Sequence, residues 1–251
     1  MKALITGASG GIGRDMARIL SGQGHDLILV ARGHEKLAAL QGELATSAEI
    51  ISMDLSEPNA PYDLYEQVRD QQIDILINNA GFGLFGEFIA TDLDTELNMI
   101  DLNIKALHIL TKLFVQDFTE RDSGYILNVA SIAGFLPGPL MSTYYASKAY
   151  VIRLTQALYQ ELRHNGSHVH VSVLCPGPVK TGFNKRAGAA FGSHGLDSAT
   201  VADYALKKML VGRLVIIPGC SIKLLRFAER ILPDKLLLKA VYSTQTRRKK
   251  Q

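Results

Sequence analysis

The chain has 251 residues, of which 47% are hydrophobic and 20% charged, a composition that indicates a folded protein with a substantial buried core. The formal net charge of +3 is too small to indicate a nucleic-acid-binding protein. Two cysteines, Cys175 and Cys220, exclude a disulfide framework and are typical of a reducing compartment. With no signal sequence before the first predicted strand and no apolar run of roughly 20 residues, we expect a cytoplasmic protein.

Short apolar, β-branched segments alternate with longer amphipathic segments along most of the chain. Continuous apolar strands are typical of a parallel sheet that is buried on both faces. The predicted strands are 3–6, 27–31, 50–53, 73–78, 125–130, 169–174 and 214–217, and the main predicted helices are 12–23, 35–45, 94–118 and 143–164. The sequence therefore predicts an α/β fold with a Rossmann-type, doubly wound parallel sheet of about seven strands and helices on both faces.

The end of the chain differs in character from the rest. Gly182–Gly195 is rich in glycine and predicts a mobile loop. Residues 219–251 hold nine Lys/Arg against two acidic residues, a net charge of +7. Within this basic extension we expect two short helices over 221–243, split by Pro233, and a frayed end from Thr244. No repeat or linker divides the chain, so we expect residues 1–251 to form one domain.

A glycine-rich turn follows the first strand and opens the first helix. Glycines let the backbone approach a pyrophosphate, and the helix N-terminus offers free N–H groups to the anion. A tight strand-to-helix turn favours glycine for steric reasons as well, so the turn alone is weak support. In this strand–turn–helix context it predicts a dinucleotide site, with Gly7, Ser9, Gly10, Gly11, Ile12 and Gly13 against the cofactor.

The end of the second strand indicates which dinucleotide is bound. An acidic residue about 20 positions after the glycine turn would hydrogen-bond a ribose hydroxyl, but Arg32 stands there, 19 residues beyond Gly13. An arginine fork suits a 2′-phosphate. The sequence thus favours NADP(H), and the alternatives are a merely solvated Arg32 and an NAD-preferring enzyme.

Tyr144 and Lys148 are four residues apart and project from the same face of a predicted helix. An ammonium about 4 Å from a phenol, at a dielectric near 20, stabilises the phenolate by roughly 4 kcal/mol, or about 3 pKa units. We therefore expect Lys148 to lower the pKa of Tyr144 into the range of general acid–base catalysis. Ser131 follows a predicted strand, at the sheet edge where ligands collect.

These residues belong to a larger set of motifs. The set comprises TGASGGIG at 6–13, Asp54-Leu55, NNAG at 78–81, Asn103, Ser131, YYASK at 144–148 and PGPVKT at 176–181. In content and order it resembles the short-chain dehydrogenase/reductase family from about residue 2 to residue 218. Ser131 precedes Tyr144 by 13 residues, which is the family's usual interval.

The resemblance implies a role for each motif. Ser131 would hold the substrate oxygen, Tyr144 would exchange a proton with it, and Lys148 would bind the nicotinamide ribose. Asn103 would anchor a water that links Lys148 to solvent, although an ordinary buried asparagine is the alternative. The remaining cofactor contacts implied are Asp54 and Leu55 at the adenine, Asn79, Ala80 and Gly81 along the adenosine ribose, and Pro176, Gly177, Val179 and Thr181 near the carboxamide and phosphates.

Two further patterns concern Tyr145 and the pair His168 and His170. Tyr145 adjoins Tyr144, but only Tyr144 fits both the step to Lys148 and the interval from Ser131. His168 and His170 share a strand face without a third ligand in the pattern, so we expect no metal site.

The expected activity is reversible hydride transfer between NADP(H) and a carbonyl or alcohol carbon, with reduction of an apolar ketone or acyl carbonyl as the favoured direction. The expected pocket is apolar and is framed by the 182–195 loop together with Phe82, Leu136, Leu140, Met141 and Phe183. The resemblance implies a homodimer or homotetramer that pairs through the helices 94–118 and 143–164. The alternative is a non-catalytic NADP(H)-binding regulator or scaffold.

The basic extension leaves three interpretations open. Its helices pack beside the substrate loop or at a subunit contact, they attach peripherally to a membrane through apolar and basic residues, or they attract an acidic carrier or a phosphorylated acyl substrate.

Overall fold

Seven parallel strands form the central sheet of the protein, in a computed structural model that describes residues 1–183, 187–188, 195–219 and 233–249. The strands are β1 (Lys2–Thr6), β2 (Asp26–Ala31), β3 (Ala48–Ser52), β4 (Ile75–Asn78), β5 (Tyr125–Val129), β6 (His170–Leu174) and β9 (Val215–Ile216). Their order is β3-β2-β1-β4-β5-β6-β9. All seven predicted strands are therefore confirmed, as is the doubly wound α/β fold.

Helices cover both faces of this sheet. They are α1 (Gly11–Gly22), α2 (His34–Glu43), α3 (Ala60–Val68), α4 (Leu93–Ile100), α5 (Leu107–Glu120), α6 (Ser142–His164), α7 (Ser198–Leu210) and α8 (Asp234–Lys249). The core is split by the sheet: side chains of α1, α2 and α7 pack on one face, and side chains of α3 and α5 pack on the other. Strand residues such as Leu4 and Ile5 point alternately into the two layers.

The strand order reverses between β1 and β4, because the chain winds outward from β1 to β3 and then returns to β4. In open parallel sheets, the crevice beyond the carboxyl ends of the strands at such a reversal is the place where ligands bind. The segments that follow β1, β4, β5 and β6 carry most of the predicted site residues. The topology therefore brings residues from four distant parts of the chain to one edge.

The predicted continuous helix over 94–118 is interrupted in the structure. Between α4 and α5 the backbone forms a π-helical segment, Asp101–Ala106. A π-helical turn inserts extra backbone into a helix and is frequent at functional sites. Periodicity did not reveal it, because the apolar pattern runs through without a proline or glycine.

The carboxyl-terminal region also differs from expectation. α8 continues to Lys249, so the prediction of a frayed end from Thr244 is wrong, and the buried side chain of Gln245 holds this part of the helix. The predicted helix before Pro233, over 221–232, lies outside the described residues, as do 184–186 and 189–194 of the predicted loop. A small parallel pair, β7 (Val179–Lys180) with β8 (Leu196–Asp197), was not predicted. Among the described residues, no helix combines the length and apolarity needed to cross a membrane.

Candidate active site

The turn between β1 and α1 has the backbone geometry that its glycines allow. Gly7 and Gly11 adopt φ angles of +66° and +56°, a region that side chains with a Cβ rarely enter. Gly10 is extended, and a Cβ placed on it would meet no atom within 4 Å. Among the described residues, no side chain caps the start of α1, and its first turn carries no acidic residue. Within the described part of the chain, the start of α1 thus has no side-chain cap and presents a helix dipole that favours an anion.

The loop after β4 is tied to this turn by hydrogen bonds. The Thr6 hydroxyl oxygen accepts from the backbone N–H groups of Asn79 and Ala80, each at 3.0 Å. The Asn79 amide donates back to the carbonyl oxygens of Thr6 and Gly7, at 3.0 and 3.1 Å. A Cβ on Gly13 would lie 2.4 Å from the Asn79 side-chain nitrogen. Asn79 therefore holds the turn in place, and Gly13 leaves it the room to do so.

The end of β2 presents one cation and one carboxylate. The Arg32 side chain is 60% exposed and lies 3.4 Å from Asp54, so it is accessible at the rim of the crevice. Burial alone would raise the pKa of Asp54, but hydrogen bonds from Ser56 and the charge of Arg32 outweigh it and lower that pKa. Leu55, the neighbour of Asp54, is buried. Asp54 is thus a carboxylate with two protein partners.

Asn103 lies in the π-helical segment and is fully buried. Its amide brackets the backbone of Phe82: Oδ1 accepts from the Phe82 N–H at 3.1 Å, and Nδ2 donates to the Phe82 carbonyl at 2.9 Å. Nδ2 also lies 3.2 Å from the Ser147 hydroxyl oxygen. A Cβ on Gly81 would lie 2.9 Å from Asn103 Oδ1 and 3.3 Å from Lys148 Nζ. Asn103 and Lys148 therefore flank Gly81 on the path into the crevice.

Tyr144 and Lys148 lie on the inner face of α6, and both are buried. Lys148 Nζ is 5.9 Å from the centre of the Tyr144 ring. Ser131 directly precedes the short 3-10 helix Ile132–Phe135, and its hydroxyl oxygen accepts from the Ala133 N–H at 3.1 Å. Three of the four residues that the sequence predicted for catalysis thus come together after β5 and on α6, and the fourth, Asn103, lies in the π-helical segment.

The electrostatics of this group differ from the prediction. Burial raises the pKa of Tyr144 to about 12, a rise that the Ser131 hydroxyl opposes. Burial also lowers the pKa of Lys148 to about 8, and its ammonium donates a hydrogen bond to the Val129 carbonyl at 2.9 Å. The expectation that Lys148 lowers the pKa of Tyr144 is therefore not met in this structure, because the loss of solvent around the phenol dominates its pKa.

An apolar cluster surrounds Tyr144. Its ring centre is 5.3 Å from that of Phe183, and the buried members of the cluster are Met99, Ala133, Met141, Tyr144 and Ala187, with Phe82, Leu84, Phe85, Tyr145 and Phe183 packed against them. Of the pocket residues predicted, Phe82, Met141 and Phe183 belong to this cluster. Leu136 and Leu140 do not, although Leu140 is buried and adopts a strained φ of +66°.

Sequence reasoning missed several residues of the site. Gly83 is one, because a Cβ there would lie 2.8 Å from Phe183 and 3.1 Å from Met141. The glycine follows NNAGF directly, so its position in the motif was the available signal. Ser147 and the Val129 carbonyl are others, and nothing in their residue types distinguished them from ordinary core positions.

The segment after β6 closes the crevice on the other side. The Pro176 carbonyl accepts from the Ile132 N–H at 3.0 Å, which ties this segment to the one after Ser131. A Cβ on Gly11 would lie 3.0 Å from the Thr181 methyl group, so Thr181 stands directly over the glycine turn. Gly177 and Val179 lie between these two points and are half-buried.

The fold is that of a doubly wound, Rossmann-type α/β protein, and the crevice lies where such sheets bind their ligands. The profile of the short chain dehydrogenase family matches residues 1–190, and the chain belongs to that family.

Two relatives and one solved structure illustrate the likeness. An uncharacterized oxidoreductase of Staphylococcus epidermidis is 36% identical over 81% of this chain and 90% of its own length. A very-long-chain 3-oxoacyl-CoA reductase of Neurospora crassa is 36% identical over 68% of this chain and 54% of its own. A short-chain dehydrogenase from Sphingobium yanoikuyae, solved in complex with NADPH, superimposes with a TM-score of 0.81 at 35% identity, covering 87% of this chain and 88% of that one.

Proposed function

We propose that the protein is an NADP(H)-dependent oxidoreductase that transfers hydride between the nicotinamide and a carbonyl or alcohol carbon, with Tyr144 as the acid/base. One observation carries the proposal: Tyr144, Ser131 and Lys148 converge at the carboxyl edge of the sheet, and Tyr144 lies in an apolar cluster. That edge is where a dinucleotide and its substrate meet in this kind of fold.

The crevice has the features that a dinucleotide requires. The positive φ angles of Gly7 and Gly11, the open space around Gly10 and the uncapped start of α1 suit a pyrophosphate. Farther along, Asp54 and Leu55 would contact the adenine, Asn79 to Gly81 the adenosine ribose, Lys148 the nicotinamide ribose, and Pro176 to Thr181 the carboxamide and phosphates. When bound, the nicotinamide supplies or accepts the hydride.

Arg32 supports a preference for NADP(H) over NAD(H). Its guanidinium is mostly exposed at the end of β2 and is engaged only loosely, at 3.4 Å, by Asp54. A 2′-phosphate would offer it a stronger, bidentate partner of opposite charge. No acidic residue follows β2 at the position that would repel such a phosphate, since Ala31 is followed by Arg32, Gly33 and His34.

The electrostatics of Tyr144 suit reduction of a carbonyl. With its pKa raised to about 12, the phenol stays protonated at neutral pH and has a proton to give. Ser131 would hold the substrate oxygen by a hydrogen bond while Tyr144 Oη transfers its proton to that oxygen. The nearby Lys148 ammonium would favour the phenolate that remains.

The walls of the pocket support an apolar substrate. Phe82, Phe183 and Met141 surround Tyr144 with carbon and sulfur surface, and an apolar ketone or acyl carbonyl would bury its chain there. The relative that reduces 3-oxoacyl-CoA, by its name, and the NADPH-bound neighbour agree with a reductase of this kind.

A panel of carbonyls and alcohols, followed by NADPH and NADH absorbance, tests this function. We expect NADPH-dependent reduction of bulky apolar ketones, with NADH used less well. An NADH preference would assign the protein to the NAD-preferring alternative. NADPH binding without turnover of any carbonyl or alcohol would support the non-catalytic regulator instead.

A further inference from the structure

Three side chains of helix α8, spaced four residues apart, pack toward the rest of the protein. Leu237 and Gln245 are buried and Val241 is half-buried, at a spacing of four residues, whereas Leu236, Leu238 and Tyr242 are exposed. Four-residue steps place side chains on the same helix face. One of the two buried side chains on this face is therefore a glutamine, which is unusual for an inner helix face.

Gln245 reaches the helix that carries Tyr144. Its Nε2 donates a hydrogen bond of 2.7 Å to the hydroxyl oxygen of Tyr145, one hundred residues earlier in the chain. Gln245 is only 1% exposed. The bond therefore connects the C-terminal helix to the residue next to the proposed acid/base.

The ring of Tyr145 is held on two sides. A Cβ on Gly138 would lie 2.0 Å from its Cγ, so the ring packs flat on the backbone of that glycine. Its edge-to-face partner is Tyr144, with ring centres 6.1 Å apart. Tyr145 also packs against the apolar cluster around Tyr144. Its ring thus adjoins the apolar cluster around Tyr144, and its hydroxyl contacts α8.

The amide of Gln245 is only half satisfied. Its Oε1 is buried and has no hydrogen-bond partner among the described residues. Rotating the amide by 180° would let Oε1 meet the Tyr145 hydroxyl, but it would leave Nε2 without a partner in the described part of the chain. An unpaired buried polar atom offsets much of what the bond to Tyr145 contributes. Of the residues that the structure describes, Tyr145 is therefore the one hydrogen-bond partner of the Gln245 amide.

We propose that Tyr145 is a specificity-determining residue for bulky apolar substrates and that Gln245 is its positioning residue, docking α8 behind the pocket wall. The inference rests on the proposed function for the class of substrate. Small carbonyls that sit only at Tyr144 and Ser131 do not reach this wall. Larger apolar ketones do, and their affinity depends on a wall that α8 holds in place.

The test is a double-mutant cycle of Tyr145→Phe and Gln245→Leu, with Tyr242→Phe on the exposed face of α8 as the matched control. Tyr145→Phe leaves the whole Gln245 amide buried without its partner. We expect hydrogen–deuterium exchange across residues 237–245 to become roughly fivefold faster or more, and KM for a bulky aryl ketone to rise about fivefold. The KM for a small ketone and kcat stay within about twofold of the wild type.

The double variant is the decisive member of the cycle. Removing both polar groups replaces the half-satisfied pair by an apolar contact, so exchange and KM return to within about twofold of the wild type. Any of three results would overturn the proposal. They are unchanged exchange in Tyr145→Phe, a double variant whose exchange and KM are no nearer the wild type than those of either single variant, and an equal KM change for small and bulky ketones. Hydrogen–deuterium exchange is measured without turnover. If the expected exchange pattern appears in a protein that reduces no carbonyl, the proposed function is wrong, whereas the docking of α8 through Gln245 stands.

Discussion

The Lys148 ammonium donates a hydrogen bond of 2.9 Å to the carbonyl oxygen of Val129, at the end of β5. A buried ammonium in an apolar surrounding is costly, and this burial lowers the pKa of Lys148 to about 8. The same burial raises the pKa of Tyr144 to about 12. The two shifts together keep the phenol protonated while the lysine titrates within the range of ordinary assays.

The pH dependence of carbonyl reduction follows from these two shifts. Because the pKa of Lys148 is lowered to about 8, its charge is present below that pH and is lost as the pH rises through it. Tyr144 keeps its proton throughout. We expect kcat/KM for NADPH-dependent reduction to fall as the pH rises through about 8. A rate that is constant from about pH 6 to pH 10 would contradict the proposed part of Lys148.

Gly10→Ala tests the glycine turn as a cofactor cradle. Gly10 is extended, and a Cβ on it would meet no protein atom within 4 Å, so the variant should fold with an unchanged melting temperature. The added methyl group would occupy space reserved for the pyrophosphate, and we expect NADPH to bind at least about tenfold more weakly. Titration of NADPH fluorescence measures the change.

The matched control is Gly22→Ala, at the far end of α1, where a Cβ also meets no atom within 4 Å. It should leave NADPH binding unchanged. If Gly10→Ala bound NADPH as tightly as the wild type, the dinucleotide would not lie over this turn.

Arg32→Asp tests the assignment of the 2′-phosphate. Replacing the exposed guanidinium by a carboxylate removes a charge-assisted hydrogen bond and adds repulsion. We expect the Kd for NADPH to rise roughly 10- to 100-fold, with NADH binding kept or improved. The exposed Arg69, paired with Glu66 on another surface, provides the control variant Arg69→Asp. An unchanged NADPH preference in Arg32→Asp would refute the assignment.

We further propose that the protein is a homo-oligomer that pairs through the face of α4. Leu93, Leu97 and Ile100 are 66%, 48% and 36% exposed and lie on one side of that helix, an apolar stripe that a second copy would cover. Leu97→Glu should shift the protein toward the monomer in sedimentation velocity. Tyr62→Glu, at an exposed position of α3, should not. A wild-type protein that sediments as a monomer would contradict the proposal.

The sequence predicted the sheet well because its strands are continuous apolar segments. Burial of such segments on both faces of the sheet agrees with their intrinsic preference for strand structure. The glycine turn and the Tyr144–Lys148 pair could also be located in the sequence, because both depend on the spacing of residues close together in the chain. The π-helical turn at Asn103 could not be located in this way, since its apolar pattern is that of a regular helix.

Long-range contacts lay beyond sequence reasoning. The hydrogen bond from Gln245 to Tyr145 joins residues far apart in the chain, and the periodicity of a sequence does not predict such a contact. The raised pKa of Tyr144 was missed for a similar reason, because it depends on how deeply the whole fold buries the ring and not on the neighbouring lysine.

Tyr144→Phe shows whether the Tyr144 hydroxyl exchanges the proton, and Tyr145→Phe beside it is the matched control. The measurement is single-turnover reduction of a small ketone by NADPH, together with NADPH titration of each variant. We expect Tyr144→Phe to bind NADPH like the wild type but to lose turnover by about 100-fold or more, whereas Tyr145→Phe remains active. Turnover that survives in Tyr144→Phe and is lost in Tyr145→Phe would contradict this expectation.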